Sequence, residues 1–436
     1  MENTMTGPQR QSSIFDNSLP AILRFCCAVI FGTAILAQAQ TFQVIHNFTG
    51  GADGAFPLAG LTADGGGNLY GTAQGGGTAP CYAGYGCGTA FRLKRSGADW
   101  VFDPLYEFQG GTNDGQHPSA RMVFAPNGVL YGTTYGGGID NNTCGDGGDG
   151  GCGTIFKLTP PPTFCGSVLC PWDETVIYFF PGSPGAGVPS GGPLAIDQSG
   201  NLYGSSINGG CCDYGDDFEL SPSGSGWNAA LIDNHFPDGG PMSGLTIDNA
   251  GNLYGSVESP YAGAIYQLSS SGFGWQFNLI MNLNNIMNGG DAPQGSLIVD
   301  GAGNLYGTTL GGGVGNGGTV FELSAGTWNF SLLYSLTGSE GPQESLAMDS
   351  AGNLYGTTYG DGAYNRGSVF KLSPSANGWI YTELYDFTGG SDGSLPISNV
   401  VIDAQGNLYG TASRGGTGTN CYEGSSGCGV VWKITP

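Results

Sequence analysis

The sequence predicts an all-β fold, a seven-bladed β-propeller of four-stranded antiparallel blades. Three observations carry this. A Gly-Asn-Leu-Tyr-Gly motif recurs seven times, with its tyrosines at Tyr70, Tyr131, Tyr203, Tyr254, Tyr306, Tyr355 and Tyr409. Each copy lies among four short apolar and aromatic segments separated by glycine turns. The segments are offset by one, so that a lone strand of the fourth kind opens the region after residue 39.

The tyrosines are spaced by 61, 72, 51, 52, 49 and 54 residues. Self-similarity at that period marks a propeller or a solenoid. The first strand of each unit is apolar and usually ends in Asp, as in Leu245-Thr246-Ile247-Asp248. A turn follows, Asp248-Asn249-Ala250-Gly251, in which Asp bonds downstream backbone and Gly takes the left-handed position. Six copies keep this Asp (Asp64, Asp197, Asp248, Asp300, Asp349, Asp403), and the second has Ala125 before Pro126-Asn127-Gly128. The second strand is Asn-Leu-Tyr-Gly-Thr, reading Gly128-Val129-Leu130-Tyr131-Gly132 in the second copy. The third reads like Gly318-Thr319-Val320-Phe321-Glu322-Leu323. The fourth starts at Trp100, Trp172, Trp227, Trp275, Trp328 or Trp379. β-Branched and aromatic residues between glycine turns are strand chemistry.

Seven first, second and third strands follow residue 57, but only six fourth strands. The seventh is residues 41–48, whose following Thr49-Gly50-Gly51-Ala52-Asp53-Gly54 matches Thr388-Gly389-Gly390-Ser391-Asp392-Gly393. It is expected to complete the blade of residues 397–434, closing a ring without open edges. An open solenoid would instead need end caps. The domain reading is therefore a leader over 1–39 and one propeller over 40–436.

The leader reads as a secretory signal. Arg24 precedes an apolar run of 13 residues from Phe25 to Ala37, and Ala37-Gln38-Ala39 is a small-x-small cleavage pattern. Such a run is too short for a helix crossing about 30 Å of hydrocarbon, so no membrane insertion is expected once the signal is removed. The formal net charge is −23, from 11 basic and 34 acidic residues. That surface repels phosphate backbones and excludes nucleic acid as a partner; solubility is its plain explanation.

The run Asp349 to Thr358, with Gly367 to Leu372, resembles the GloVer (Gloeo_Verruco) tandem-repeat family. The likeness covers about residues 41–436. It implies an exported bacterial protein, sometimes with a C-terminal sorting anchor, and it supplies no catalytic residues. This sequence shows no such anchor, which points to a secreted, periplasmic or cell-surface location.

Ten cysteines follow the leader in close pairs: Cys81 with Cys87, Cys144 with Cys152, Cys165 with Cys170, Cys211 with Cys212, and Cys421 with Cys428. Export makes them disulfide candidates, and adjacent Cys211-Cys212 would form a vicinal bond or pair elsewhere. Four pairs lie in loops between second and third strands, hence on one face. Those loops also carry the longest insertions, residues 73–88, 134–153, 206–215 and 411–428. Long stapled loops on a rigid scaffold are where binding resides. Their ligand candidates are Tyr82, Tyr85, Tyr135, Tyr214, Tyr359, Tyr364, Arg366, Arg414 and Tyr422. A tyrosine offers apolar area and a polar tip to sugars, peptides and proteins, although it also packs its own loop.

Residues 140–150 are rich in oxygen ligands, and Asp140, Asp146 and Asp149 would serve calcium. The spacing is not that of an EF-hand, and no other cofactor is called for. His46, His117 and His235 belong to different repeats without ligand spacing, which weakens metal and triad chemistry. Asp216, Asp217, Glu258 and Glu423 are the carboxylates a glycosidase pair would draw on. The leading expectation is a binding scaffold for an extracellular glycan, peptide or protein rather than an enzyme. The alternatives are a hydrolase or lyase using clustered carboxylates at the channel mouth, and a structural surface or matrix component.

Overall fold

The Asp-x-x-Gly turn sets the local structure. In blade six, Asp349 Oδ1 accepts from the backbone N–H groups of Ala351 and Asn353, and Oδ2 from Asn353 Nδ2 and the Tyr355 hydroxyl at 3.0 Å. The carboxylate thus ties the turn to the second strand through residues two, four and six places on. The same four contacts recur at Asp64, Asp197, Asp248, Asp300 and Asp403. The turn glycine is left-handed throughout, for example Gly352 at φ 79°, which costs a residue without Cβ nothing. Ala125 provides no carboxylate in blade two, yet the backbone turn persists, with Gly128 N–H donating to the Ala125 carbonyl at 3.0 Å.

The computed structural model describes residues 40–81, 84–139, 144, 150–162, 172–182, 187–209, 214–233, 240–257, 263–272, 274–421 and 426–436. Residues Thr41–Thr435 form one unit of seven antiparallel sheets. Blade five is representative, with strands Ile298–Val299, Leu305–Thr309, Thr319–Leu323 and Phe330–Ser335 paired in that order. Blade two departs. Its second strand extends over Leu130–Gly137 and pairs with both Val123–Phe124 and an added segment, Gly115–Pro118. His117 lies in that added segment and is buried.

The ring closes as the strand offset requires. Strand Thr41–Asn47 pairs antiparallel with Val430–Thr435, from Thr41 opposite Thr435 to Asn47 opposite Val430. His46 stands opposite Val431, where four other blades place a tyrosine, as Tyr334 opposite Val320. Across the closing seam, Asn399 donates to the Leu61 carbonyl and accepts from its N–H, at 3.2 and 3.1 Å.

The core is a set of inter-blade seams. Four motif tyrosines pack on the tryptophan that opens the next blade's fourth strand: Tyr70 on Trp172, Tyr131 on Trp227, Tyr203 on Trp275 and Tyr254 on Trp328, with centroids 5.7–5.9 Å apart. Tyr409 of blade seven meets Trp100 of blade one at 5.6 Å. The tryptophans and motif tyrosines are therefore packing residues.

Candidate functional site

Strand alternation places second-to-third and fourth-to-first loops on the same face, where isolated bridges such as Asp291 to Gly311 and Ser394 to Arg414 join them. Three disulfides lie on this face: Cys81–Cys87, Cys144–Cys152 and Cys421–Cys428. The second cysteine of each, Cys87, Cys152 or Cys428, is fully buried in a seam. Each staple thus fixes a loop to the blade core. Closing loops this small restrains the unfolded chain by about 2 kcal/mol apiece. Cys165, Cys170, Cys211 and Cys212 lie outside the described residues.

The sequence-derived tyrosines and arginines separate into two groups. Tyr135, Tyr214, Tyr364 and Arg366 are exposed on the stapled face, and Tyr359 is half-buried there. They belong to blades two, three and six, and no described cavity joins them. Tyr85 and Arg414 instead build a structural stack around Phe56. The Tyr85 ring stacks on Phe56 at 5.1 Å, and the Arg414 guanidinium lies 4.3 Å from the Phe56 centroid. Tyr85 donates to Gln74 at 3.0 Å. Burial pushes its phenol up to about 12, against the pull of Arg414. Tyr82 and Tyr422 lie outside the described residues, as do the calcium candidates Asp140, Asp146 and Asp149. Among the described residues, no three His, Cys, Asp or Glu side chains are grouped to hold a metal ion.

The loop aspartates Asp53, Asp114 and Asp392 are engaged by their own loops. Asp392, for example, accepts from the Thr388 N–H at 2.7 Å and the Tyr385 hydroxyl at 3.1 Å. Asp53 does the same for Thr49 and faces His46 at 3.3 Å. Asp216 and Asp217 lie fully buried next to each other on the third strand of blade three, where alternation turns them to opposite faces, Asp217 toward Tyr266 of blade four. Ser205 and Tyr266 hydroxyls donate to Asp217 at 2.7 and 2.8 Å. Glu258 and Glu423 fall outside the described residues.

The first strands line a central cavity of about 670 Å³. Its lining mixes apolar residues such as Leu245, Leu297 and Val400 with Thr62, Thr246, Ser345 and Asn399. Seven equivalent positions, each just ahead of a first strand, ring its mouth on the stapled face: Gly60, Arg121, Pro193, Gly244, Ser296, Ser345 and Asn399. Among the described residues, Arg121 is the only charged one lining the cavity. Burial pulls its pKa down, while the charge of Glu344 opposes that shift. Burial pushes Glu344 up to about 7, despite Arg121 and the Ser345 N–H. Among the described residues, no carboxylate lines the cavity itself.

A family model, the Gloeobacter/Verrucomicrobia repeat, matches residues 256–436. Those residues belong to that repeat family. They span the end of blade four and blades five to seven, while the resemblance in the motifs extends over the earlier, more divergent blades. No curated protein matches the chain. Among solved structures, a Dyadobacter fermentans protein of unknown function is 11% identical, with TM-score 0.48, covering 76% of this chain and 98% of its own. A Thermus thermophilus protein provisionally described as an oxidoreductase (glucose dehydrogenase) is 14% identical, with TM-score 0.42, covering 91% and 100%. A Bacteroides uniformis protein provisionally described as a 6-phosphogluconolactonase is 11% identical, with TM-score 0.48, covering 75% and 83%. Likeness of this degree transfers no activity to the repeat.

The repeat register explains which site residues sequence reasoning missed. Arg121, Ser296 and Glu344 carry no motif, and nothing marks them until the blades are superposed. The available signal was positional: Arg121 is one of only 11 basic residues and sits in a column otherwise uncharged.

Proposed function

We propose that this protein is an exported binding scaffold whose stapled face receives a glycan, peptide or protein surface. One observation carries the reading. Three disulfides rigidify loops on the same face from which Tyr135, Tyr214, Tyr364 and Arg366 emerge exposed. Exposed tyrosines on loops held by a rigid ring lose little entropy on binding. Disulfides suit an oxidising compartment, and no described helix is long and apolar enough to cross a membrane.

The test is a glycan-array and immobilised-peptide screen of the wild type against a triple variant, Tyr135→Ala, Tyr214→Ala and Tyr364→Ala. Saturable binding reduced tenfold or more in the variant is expected. Binding that the variant leaves intact, or a hydrolytic or lyase activity without binding at this face, would overturn the reading.

A further inference from the structure

We propose that the channel mouth is a second ligand site, which takes the oxyanion head of a small molecule, a carboxylate or a phosphate, on Arg121. The site is separate from the loop tyrosines and does not depend on them.

The argument begins with cost. A guanidinium in such a channel loses hydration and must regain it from partners. Among the described residues, Arg121 forms no ion pair within 4.0 Å, and the three ion pairs present involve His46, Arg92 and Arg95. No side-chain hydrogen bond to it is formed either. Glu344 compensates only through its field, from beyond ion-pair distance. Among the described residues, the guanidinium N–H donors thus have no side-chain partner, in a residue that lines the cavity.

The opposite wall supplies a second orphan. Ser296, in blade five at the position equivalent to Arg121, is 6% exposed and lines the same cavity. Its Oγ is buried with no hydrogen-bond partner. Buried hydroxyls are normally satisfied. Residues Arg121 and Ser296 thus both line a cavity of about 670 Å³, a volume ordinary for small-molecule sites. Guanidinium geometry matches carboxylate and phosphate oxygens in a bidentate pair.

Isothermal titration of the full chain with D-glucuronate, inorganic phosphate and, as the neutral control, D-glucose tests this. Saturable binding of at least one oxyanion is expected, with none for glucose. Arg121→Gln should weaken it tenfold or more, and Arg121→Lys should restore part of the loss. A glucuronate response identifies a carboxylate ligand, and a phosphate response a phosphorylated one. Absence of binding by both, or binding untouched by Arg121→Gln, overturns the proposal. Arg121→Met separates a structural role: its thermal midpoint should equal or exceed that of the wild type, and a clear fall would overturn the proposal too. The triple tyrosine variant should keep oxyanion binding, so failure at the loops and failure at the channel are read independently.

Discussion

Asp217 stands in the third strand of blade three where the other blades carry Ala90, Ile155, Ile265, Val320, Val369 and Val431. The exchange is matched across the seam: Tyr266 replaces the phenylalanine seen at Phe321, and its hydroxyl reaches Asp217. Burial, with Asp233 and Asp216 nearby, pushes the Asp217 carboxyl up to about 7, more than Ser205 and Tyr266 pull it back. A folded pKa above the unfolded one gives stability that is full below about pH 4 and lost as pH rises through 7. Asp217→Asn keeps the shape and one oxygen acceptor, sets an NH2 where the second oxygen stood so that one of the two hydroxyls must turn to accept, and does not titrate. Thermal melts should show the variant a few degrees more stable than wild type near pH 8.5 and equal to it near pH 4. A less stable variant at the higher pH would refute the assignment. The turn aspartates act with the opposite sign. Burial raises Asp349, but Asn353, its N–H and Tyr355 together bring the carboxyl below its ordinary value. That contribution is present above about pH 4 and fades as pH falls through the folded pKa. Asp349→Asn should therefore cost about 1 kcal/mol near neutrality and almost nothing near pH 2, measured by urea titration at both.

At the scale of the element, the final glycine of Gly-Asn-Leu-Tyr-Gly is fixed by its cross-strand partner. Gly307 pairs with Phe321, and a Cβ at Gly307 would lie 2.5 Å from the Phe321 ring. The relation holds in all seven blades, including Gly255 against Tyr266 and Gly410 against Trp432 at 2.3 Å. The ring lies over the glycine and fills its missing side chain. Gly307→Ala forces that ring off its rotamer, and chemical denaturation should show a loss of about 1–3 kcal/mol. Turns, strand order and the inter-blade tyrosines were legible in the sequence because turn chemistry and period-two patterning are local. The glycine–aromatic pairing was not, since it depends on register between residues 11 to 24 positions apart in the chain. Arg121 escaped for a related reason: its meaning depends on the axis that seven distant segments share. Tyr85 and Arg414 were legible only as loop residues, because the Phe56 that binds both is set by a left-handed backbone, φ 59°.

Across the whole molecule, stability should depend on a few residues at the closing blade. Phe48 is fully buried and packs with Phe91 at 5.2 Å, joining blade seven to blade one. Phe42 stacks on Tyr385 of blade six at 3.7 Å. The Asn47 side chain accepts from the Thr417 N–H at 3.0 Å, and the Thr411 hydroxyl donates to the Pro57 carbonyl at 2.7 Å. The strand Thr41–Asn47 therefore serves three blades while belonging covalently to none of the sheet it completes. Removing it would leave the edge of Val430–Thr435 unpaired and the Phe48 pocket empty; the pocket alone is worth about 3–5 kcal/mol. Two truncations isolate the effect. Deletion of residues 1–39 should leave the thermal midpoint within a degree or two, because the unit of Thr41–Thr435 is intact. Deletion of residues 1–48 should lower it sharply, broaden the transition and raise light scattering, as the exposed edge recruits a second chain. If the longer deletion melts like the shorter one, the ring does not depend on that strand, and the blades are held by their seams alone.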